Sequence, residues 1–273
     1  MKKSTKPQTI AFVGDTHCGS HWGLHPTGDE WLPRSSKWTG IRYLMECFGH
    51  MVDSWPEIDL LVLTGDLIDG PQRKSSGTGV FSTKMGDQVD LAIEVLRPLA
   101  AKAKKIIRVD GTPYHEDFHN ALSTLDHALG VSKTSQIFDI DLEPGILNIA
   151  HHPMGGSMLY RGTQVDREGL WAAIAAVRRK VPMVRWIFRA HVHDYMMMES
   201  QDTVVVSLPC WELATPHAKK TAYWRFQPSL GGVLMEADKT HPSGYRITPH
   251  LYDPPQPTVT KMGEIRAQIK PTA

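Results

Sequence analysis

Acidic residues and histidines recur just after five short apolar segments, and these are residue types that bind transition metals. Alone, an Asp after a strand is usually a helix cap, and a single His is usually a hydrogen-bonded structural residue. Five such positions at one edge of a sheet would be a large coincidence, so together they favour a metal centre. In chain order the set is Asp15, His17, Asp66, Asp69, Asp110, His115, Glu116, His151, His152, His191 and His193.

The donor types narrow the choice of metal. Mixed carboxylate and imidazole ligands without thiolate suit Mn, Fe, Zn, Ni or Co better than Ca or Mg. A carboxylate between two sites can bridge a pair of ions about 3.5–4 Å apart. Asp15 and His17 are two residues apart, as are His191 and His193. An extended backbone would point both members of each pair to the same side.

The elements that must position these residues alternate along the chain. The apolar runs predict buried strands, and the segments between them have helical periodicity. This order is typical of an α/β architecture, in which ligands bind at the carboxyl ends of the strands. "TVVVSL", "GGVLMEA" and "GYRITPHLY" follow residue 200 and predict further strands, which we expect in a second sheet packed on the first. The predicted strands are 9–14, 58–65, 105–111, 145–150 and 184–190, and the predicted helices are 36–54, 86–103, 117–129 and 167–180.

Composition sets the broad class. The chain has 273 residues, of which 41% are hydrophobic and 22% charged, with a net charge of +1. These values are ordinary for a globular protein and give no general electrostatic footprint of a nucleic-acid binder. The three cysteines form no disulfide framework, and the apolar run near the N-terminus is too short for a signal peptide or a membrane span. We therefore expect a cytoplasmic protein without a membrane partner, with one domain over 1–252 and a Pro-rich tail over 253–273.

The motifs, taken in order, resemble the signature of the calcineurin-like metallophosphoesterases. That signature runs D-x-H, G-D-x-x-D, a G-N-H-[DE]-like element, an isolated His, and G-H-x-H. The corresponding segments here are "DTH", "GDLID", "GTPYHE", His151 and "AHVH", which together span residues 15–193. The resemblance implies a four-layer α/β/β/α sandwich, with two mixed β-sheets flanked by helices, and a centre of two divalent metal ions.

Carried over by position, the resemblance also implies a ligand set. Mn²⁺ is the first choice of metal, with Fe, Zn, Ni or Co as alternatives. Asp69 would orient a ligand His or cap a helix, and His151 is preferred to His152 because Pro153 follows two residues later. The first metal would take Asp15, His17, Asp66 and His193, and the second would share Asp66 and add His151 and His191.

The chain departs from the family pattern in its third motif. The family Asn is absent, so Thr112 or a water would take its place at the second metal. Two further residues intervene before His115, and Ala190 replaces the usual Gly of the last motif. The elements "GTPYH" and "DTHCGS" are similar to those of phage and prophage metallophosphoesterases, which would place the protein in a host cytoplasm.

By its place in the motif, His115 is the acid that protonates the leaving group, and Asp117 or Glu116 would hold its tautomer or cap a helix. The arginines with which related protein phosphatases grip monoesters are missing, since Gly70 and Pro71 follow Asp69. This favours a phosphodiesterase acting on nucleic acid or on a small nucleotide diester. A phosphomonoesterase and a catalytically impaired metal-binding structural or regulatory protein remain the alternatives.

Two other segments are candidates for substrate contact. We expect Arg73 and Lys74, in "PQRKSSGTG", to face water, with a substrate phosphate as the alternative. The stretch "PCWELATPHAKKTAYWRF" at 209–226 interleaves aromatic and basic residues, as nucleic-acid binding surfaces do. We expect it to be a loop that covers hydrophobic surface, with base stacking as the alternative.

Overall fold

The computed structural model describes residues 7–28, 38–116, 122–143, 145–153, 162–216, 218–219 and 227–255. Within these ranges the chain forms eleven strands and five helices, with one 3₁₀ turn at Arg73–Ser75. The strands are β1 (Thr9–Val13), β2 (Leu60–Leu63), β3 (Ile106–Val109), β4 (Val131–Ser135), β5 (Ile137–Asp141), β6 (Ile146–Ala150), β7 (Val184–Arg189), β8 (Met196–Glu199), β9 (Val204–Ser207), β10 (Leu230–Ala237) and β11 (Tyr245–Tyr252). The helices are α1 (Thr39–Ser54), α2 (Met85–Ala100), α3 (Pro113–Glu116), α4 (Ser123–Leu129) and α5 (Gly162–Val177).

The strands assemble into two mixed sheets. The first has the order β11-β10-β1-β2-β3-β4, with β1 to β4 parallel and β10 antiparallel to both of its neighbours. The second has the order β5-β6-β7-β9-β8, with β6, β7 and β9 parallel and the two outer strands antiparallel. Parallel strands buried on both faces explain the non-alternating apolar runs of the sequence.

Three hydrophobic cores separate four layers. Side chains on one face of the first sheet, such as Ala11 and Val13, pack against α1, α2 and α4. Those on the other face, such as Phe12, meet the second sheet, where Phe12 stacks on Phe188 with ring centroids 4.1 Å apart. The outer face of the second sheet packs against α5 through Val165. The predicted α/β/β/α sandwich with two mixed sheets is thereby confirmed.

Two predictions about strand placement are wrong. The segments that form β10 and β11 do not build the second sheet, because β10 pairs with β1 and extends the first. The five ligand-bearing strand ends also do not share one sheet, since β1, β2 and β3 belong to the first and β6 and β7 to the second. Apolar runs predict burial, but they carry no information on which neighbour a strand pairs with.

The helix predictions differ in detail. Helix α2 runs through Pro98 and ends two residues later, at Ala100. Residues 117–121 lie outside the described part, and α4 covers only the end of the predicted helix 117–129.

Cys18, Cys47 and Cys210 are free and buried. No helix in the described ranges is long and apolar enough to cross a membrane. Residues 256–273 are not among those described, so the boundary between a domain over 1–252 and a tail over 253–273 stays a prediction.

Candidate metal centre

The loops after β1, β2 and β7 place five candidate ligands on unusual backbone. Each of these residues has a positive φ, a region that few residues other than glycine adopt and that costs about 1–3 kcal/mol. The extended backbone expected for the two-residue spacings is therefore wrong, because tight left-handed turns direct these side chains. The values are 47° at Asp15, 43° at His17, 49° at Asp66, 71° at His191 and 56° at His193.

Glycines allow the loops after β2 and β3 to touch. A Cβ on Gly65 would lie 2.7 Å from the Gly111 Cα and 2.8 Å from His151 Nδ1. A Cβ on Gly111 would lie 2.3 Å from both the backbone nitrogen and Oδ1 of Asp66. Close backbone approach at these two positions brings the second and third motifs together.

One group of potential ligands comes from the ends of β1 and β7. It consists of Asp15, His17 and His193, whose ligand atoms all lie within 4.8 Å of one another. Asp15 Oδ1 is 3.2 Å from His193 Nε2 and 3.9 Å from His17 Nε2. The two Nε2 atoms are 3.3 Å apart, so both histidines direct the same ring nitrogen at a common point.

A second group, Asp66, His151 and His191, lies beside the first. His151 donates through Nδ1 to the Thr64 carbonyl at 2.7 Å, which leaves Nε2 facing Asp66 Oδ2 at 3.0 Å. The imidazole of His191 is more exposed, while its backbone nitrogen donates to Asp15 Oδ2. Asp15 Oδ1 is 3.9 Å from His151 Nε2, so this oxygen lies within 4 Å of nitrogens from both groups.

Asp69 connects the centre to His115. Its Oδ1 accepts from His17 Nδ1 at 3.0 Å, and its backbone carbonyl accepts from His115 Nδ1 at 2.8 Å. Gln72 Nε2 donates to the other carboxylate oxygen. Asp69 therefore orients two histidines at once, a contact that fixes tautomers at metal sites.

Thr112 and Glu116 both hold the loop that carries Asp66. The Thr112 amide and hydroxyl donate to Asp66 Oδ1 at 2.6 and 3.0 Å. Among the described residues, Glu116 forms no hydrogen bond with His115. Its carboxylate accepts hydrogen bonds from the backbone amides of Leu67 and Gly111, each at 2.7 Å. Asp117 lies outside the described residues.

Glu212 is a buried carboxylate at the centre that the motifs did not single out. Its Oε2 lies 3.7 Å from His193 Nδ1 and 4.0 Å from His17 Nε2, and its Oε1 accepts from Ser20 Oγ at 3.2 Å. The only available signal was its place as a lone acid within the apolar run "CWELA".

The carboxylates and histidines shift each other's pKa values. Burial alone would lower the pKa of His17, but Glu212 and the hydrogen bond to Asp69 raise it to about 10. In His151, Asp15 and Asp66 likewise outweigh burial and raise the pKa to about 9. Burial would raise the pKa of Asp66, but the hydrogen bond to His151 and its charge hold it well below the usual range.

Among the four candidate ligand histidines, His191 is the one whose pKa is lowered. Burial and the neighbouring charge of His151 lower its pKa to about 4. Its imidazole is therefore neutral at physiological pH, the form in which histidine binds metals.

The donor atoms fit divalent ions. Asp15 Oδ1 is buried and accepts no hydrogen bond from the described residues. Three imidazole nitrogens surround it at 3.2 to 3.9 Å. Donor atoms bound at about 2.1 Å to one ion are separated by such distances. These buried His and Asp groups can hold metal ions, and the role of each ligand stays a prediction.

The remaining candidates lie around this centre. His152 is exposed, with its ring centroid 4.4 Å from that of His191. Asp110 pairs with Arg108 at 3.1 Å instead of facing the ligands. In the stretch 209–226, the part up to residue 216 contributes Glu212, while positions 217 and 220–226 are not described.

No family model matches the sequence, and no curated protein does. Solved structures match the fold at low identity. Wild-type Vps29 from Entamoeba histolytica, complexed with Zn²⁺, is 13% identical, with coverage of 90% of this chain and 98% of that one and a TM-score of 0.41. An archaeal phosphodiesterase is 12% identical, with coverage of 89% and 99% and a TM-score of 0.42.

A conserved protein described as a predicted phosphoesterase from Streptococcus pneumoniae is 8% identical, with coverage of 90% and 100% and a TM-score of 0.36. Likenesses at this level assign no family, substrate or site residue to this chain. The similarity to phage enzymes rests on the sequence motifs alone.

Proposed function

We propose that this protein is a metal-dependent phosphodiesterase. The observation that carries the proposal is the pair of adjacent His and Asp groups that meet at Asp15 Oδ1. The first ion would be held by Asp15, His17 and His193, and the second by Asp66, His151 and His191, with Asp66 or Asp15 between them. Thr112 would act at the second site, through its hydroxyl or through the hydrogen bonds that hold Asp66.

Two bound divalent ions would supply Lewis-acid chemistry, drawing charge from the phosphate oxygens and lowering the pKa of a bound water. Mn²⁺ is our first choice because carboxylate and imidazole donors without thiolate suit it. The protein's own contribution is to hold these donors in place. Asp69 and the Thr64 carbonyl fix the tautomers of His17 and His151, so that Nε2 of each faces the centre.

His115 is the proposed catalytic acid for the leaving oxygen. Its Nδ1 donates to the Asp69 carbonyl, which leaves Nε2 to exchange the proton. Its ring lies 4.6 Å from that of His17, centroid to centroid, so the acid stands beside the metal ligands. General-acid help of this kind is worth about 10²–10⁴ in rate.

The arginines on the ligand-bearing strands support a preference for a diester. A dianionic monoester calls for cationic side chains at the reacting phosphate. Arg108, on β3, pairs with Asp126, Asp110 and Glu116, and Arg189, on β7, pairs with Glu168 at 3.0 Å. Because both arginines form ion pairs with carboxylates, neither is free to bind the second charge of a monoester. This supports a diester, which carries a single charge, as the substrate.

The test compares bis-p-nitrophenyl phosphate with p-nitrophenyl phosphate after loading with Mn²⁺, and separately with Zn²⁺ or Co²⁺, alongside metal analysis. We expect about two ions per chain and faster turnover of the diester. Turnover of the monoester alone would support the phosphomonoesterase. Bound metal without turnover of either ester would support the metal-binding structural or regulatory protein.

A variant tests the acid separately. His115→Ala should retain its metal and lose about 10²-fold or more of turnover on an alkyl diester, while losing less on a p-nitrophenyl ester, whose leaving group departs without a proton. The exposed His127→Ala on α4 is the matched control. Unchanged turnover of the alkyl diester by His115→Ala would refute the acid role.

A further inference from the structure

Two segments meet beside His115. One is the loop 70–76 after the second motif, and the other is Pro113-Tyr114, the two residues inserted before His115. They lie close together, because a Cβ on Gly70 would lie only 3.0 Å from the Tyr114 carbonyl oxygen. The loop is also fixed to the centre, since Gln72 donates to Asp69.

A cavity opens between these segments. It has a volume of about 170 Å³ and is lined by Pro71, Arg73, Pro113 and Tyr114. Whole small-molecule sites usually measure about 300–1,000 Å³, so this one has room for part of a larger ligand. The ring of Tyr114 is 4.9 Å from that of His115, so the cavity lies beside the proposed acid.

The walls combine the aromatic ring of Tyr114 with the positive charge of Arg73, and Lys74 lies next to the cavity. Tyr114 is 41% exposed, unusual for a large aromatic residue beside a buried centre. Lys74 Nζ lies 5.7 Å above the centre of its ring, and Arg73 is exposed on the same turn. Neither cation forms an ion pair with a described residue. Exposed aromatic rings interleaved with free cations bind bases by stacking and phosphates by charge.

We propose that this cavity, the leaving-group pocket, binds the nucleotide on the leaving-group side of the scissile bond. The base stacks on Tyr114, and the next phosphate of the strand lies against Arg73 and Lys74. The substrate is then a single-stranded oligonucleotide. This inference rests on the proposed phosphodiesterase function and adds to it the substrate class and the residues that select it.

The experiment measures kcat/KM for three substrates of the Mn²⁺-loaded protein. They are a thymidine dinucleotide with terminal phosphates at both ends, the same dinucleotide without them, and bis-p-nitrophenyl phosphate. We expect the phosphorylated dinucleotide to be preferred over the unphosphorylated one by about tenfold. Arg73→Ala/Lys74→Ala should abolish that preference and flatten its dependence on salt.

Tyr114→Ala should lower kcat/KM for both dinucleotides, relative to bis-p-nitrophenyl phosphate, by about tenfold, since stacking of one base on a ring is commonly worth that much. Tyr114→Phe keeps the ring and should restore the wild-type ratio of dinucleotide to bis-p-nitrophenyl phosphate turnover that Tyr114→Ala loses. Lys133→Ala is the control for the cations, because Lys133 Nζ lies 5.6 Å above the Phe138 ring in the same kind of pair, on β4 and β5.

Equilibrium binding of thymidine 3′,5′-bisphosphate by calorimetry provides a readout apart from turnover, and the same variants should weaken it. Unchanged substrate ratios and binding in the variants, with bis-p-nitrophenyl phosphate still hydrolysed, would overturn the leaving-group pocket and leave the phosphodiesterase intact. Failure of the metal-loaded wild type to hydrolyse any diester would instead refute the proposed function.

Discussion

Metal binding to the metal-free protein should release protons, because three of the proposed ligands hold them. The pKa of His17 is raised to about 10 and that of His151 to about 9, and in His193 the effects of Cys210 and Asp15 outweigh burial and raise the pKa well above its usual range, so all three are protonated at pH 7. Each directs Nε2 at the centre, and a metal binds only the unprotonated nitrogen. The proton on each histidine must therefore leave as the ion enters.

The size of the effect follows from the gap between pKa and pH. At pH 7 the proton on His17 should weaken binding by about 10³-fold and that on His151 by about 10²-fold, relative to unprotonated ligands. From pH 6 to 8, apparent affinity should then rise about tenfold per pH unit at the second group, where His151 alone loses a proton, and more steeply at the first group, where both His17 and His193 do. His191 adds nothing, since its pKa is lowered to about 4 and it is already neutral.

Calorimetric titration with Mn²⁺ in buffers of different ionisation enthalpy counts the protons released per ion. At pH 7.5 we expect about two protons from the first group and about one from the second. Glu212→Gln is the informative variant, because Glu212 is the leading charge that raises the pKa of His17. Removing this charge should move the release curve of the first group to lower pH. An affinity independent of pH, with no proton released, would refute the charge pairing described for the centre.

Three further changes test the supports of the centre. Asp69→Asn keeps the shape but removes the charge that orients His17, and should lower metal affinity about 10–100-fold in an equilibrium titration. Gly111→Ala would drive a Cβ into Asp66 at 2.3 Å, and should reduce both metal content and the unfolding midpoint in urea. Arg108→Leu leaves partly buried carboxylates without their cation, and should lower the free energy of unfolding by about 3 kcal/mol.

Matched changes away from the centre serve as controls. Gly49→Ala, within α1, places its Cβ in open space and should not destabilise the protein. Arg185 donates to the Gln201 carbonyl at an exposed site, so Arg185→Leu should change stability by less than about 0.5 kcal/mol. Asp87→Asn, near the start of α2, should leave metal affinity unchanged. If a test variant and its control had equal effects, the role assigned to Asp69, Gly111 or Arg108 in stabilising the centre would be contradicted.

Much of the fold could be predicted because a strand buried on both faces appears in the sequence as a continuous run of apolar residues. The runs that became β1, β2, β3, β6 and β7 are apolar on both faces, and each ends at its polar residues. The sequence carries no comparable signal for which strands pair, and this is why the prediction that β10 belongs to the second sheet is wrong. The exposed strand β4, "VSKTS", carries too few apolar residues to be recognised at all.

The residues of the candidate site likewise fall into those that the sequence reveals and those that it does not. His and Asp at strand ends are visible as motifs, and the structure brings them together. Contacts between side chains from distant segments cannot be recognised in the sequence. For this reason the sequence does not reveal the contacts of Glu212 and Gln72, or the hydrogen bonds by which Glu116 joins two loops. The left-handed turns cannot be recognised either, because Asp and His themselves occupy the positive-φ positions where glycine would be the usual signal.

The pairing of β10 with β1 has a consequence for how the chain folds. Thr9 lies opposite Glu236, so one edge of β1 stays unpaired until β10, the second-to-last strand, has been synthesised. Until then β1 presents a row of unpaired backbone groups, the kind of edge that templates aggregation. Contacts between such distant residues also slow folding. A ribosome-bound fragment ending before residue 230 should therefore depend on chaperones, and metal can complete the centre only after most of the chain has been made.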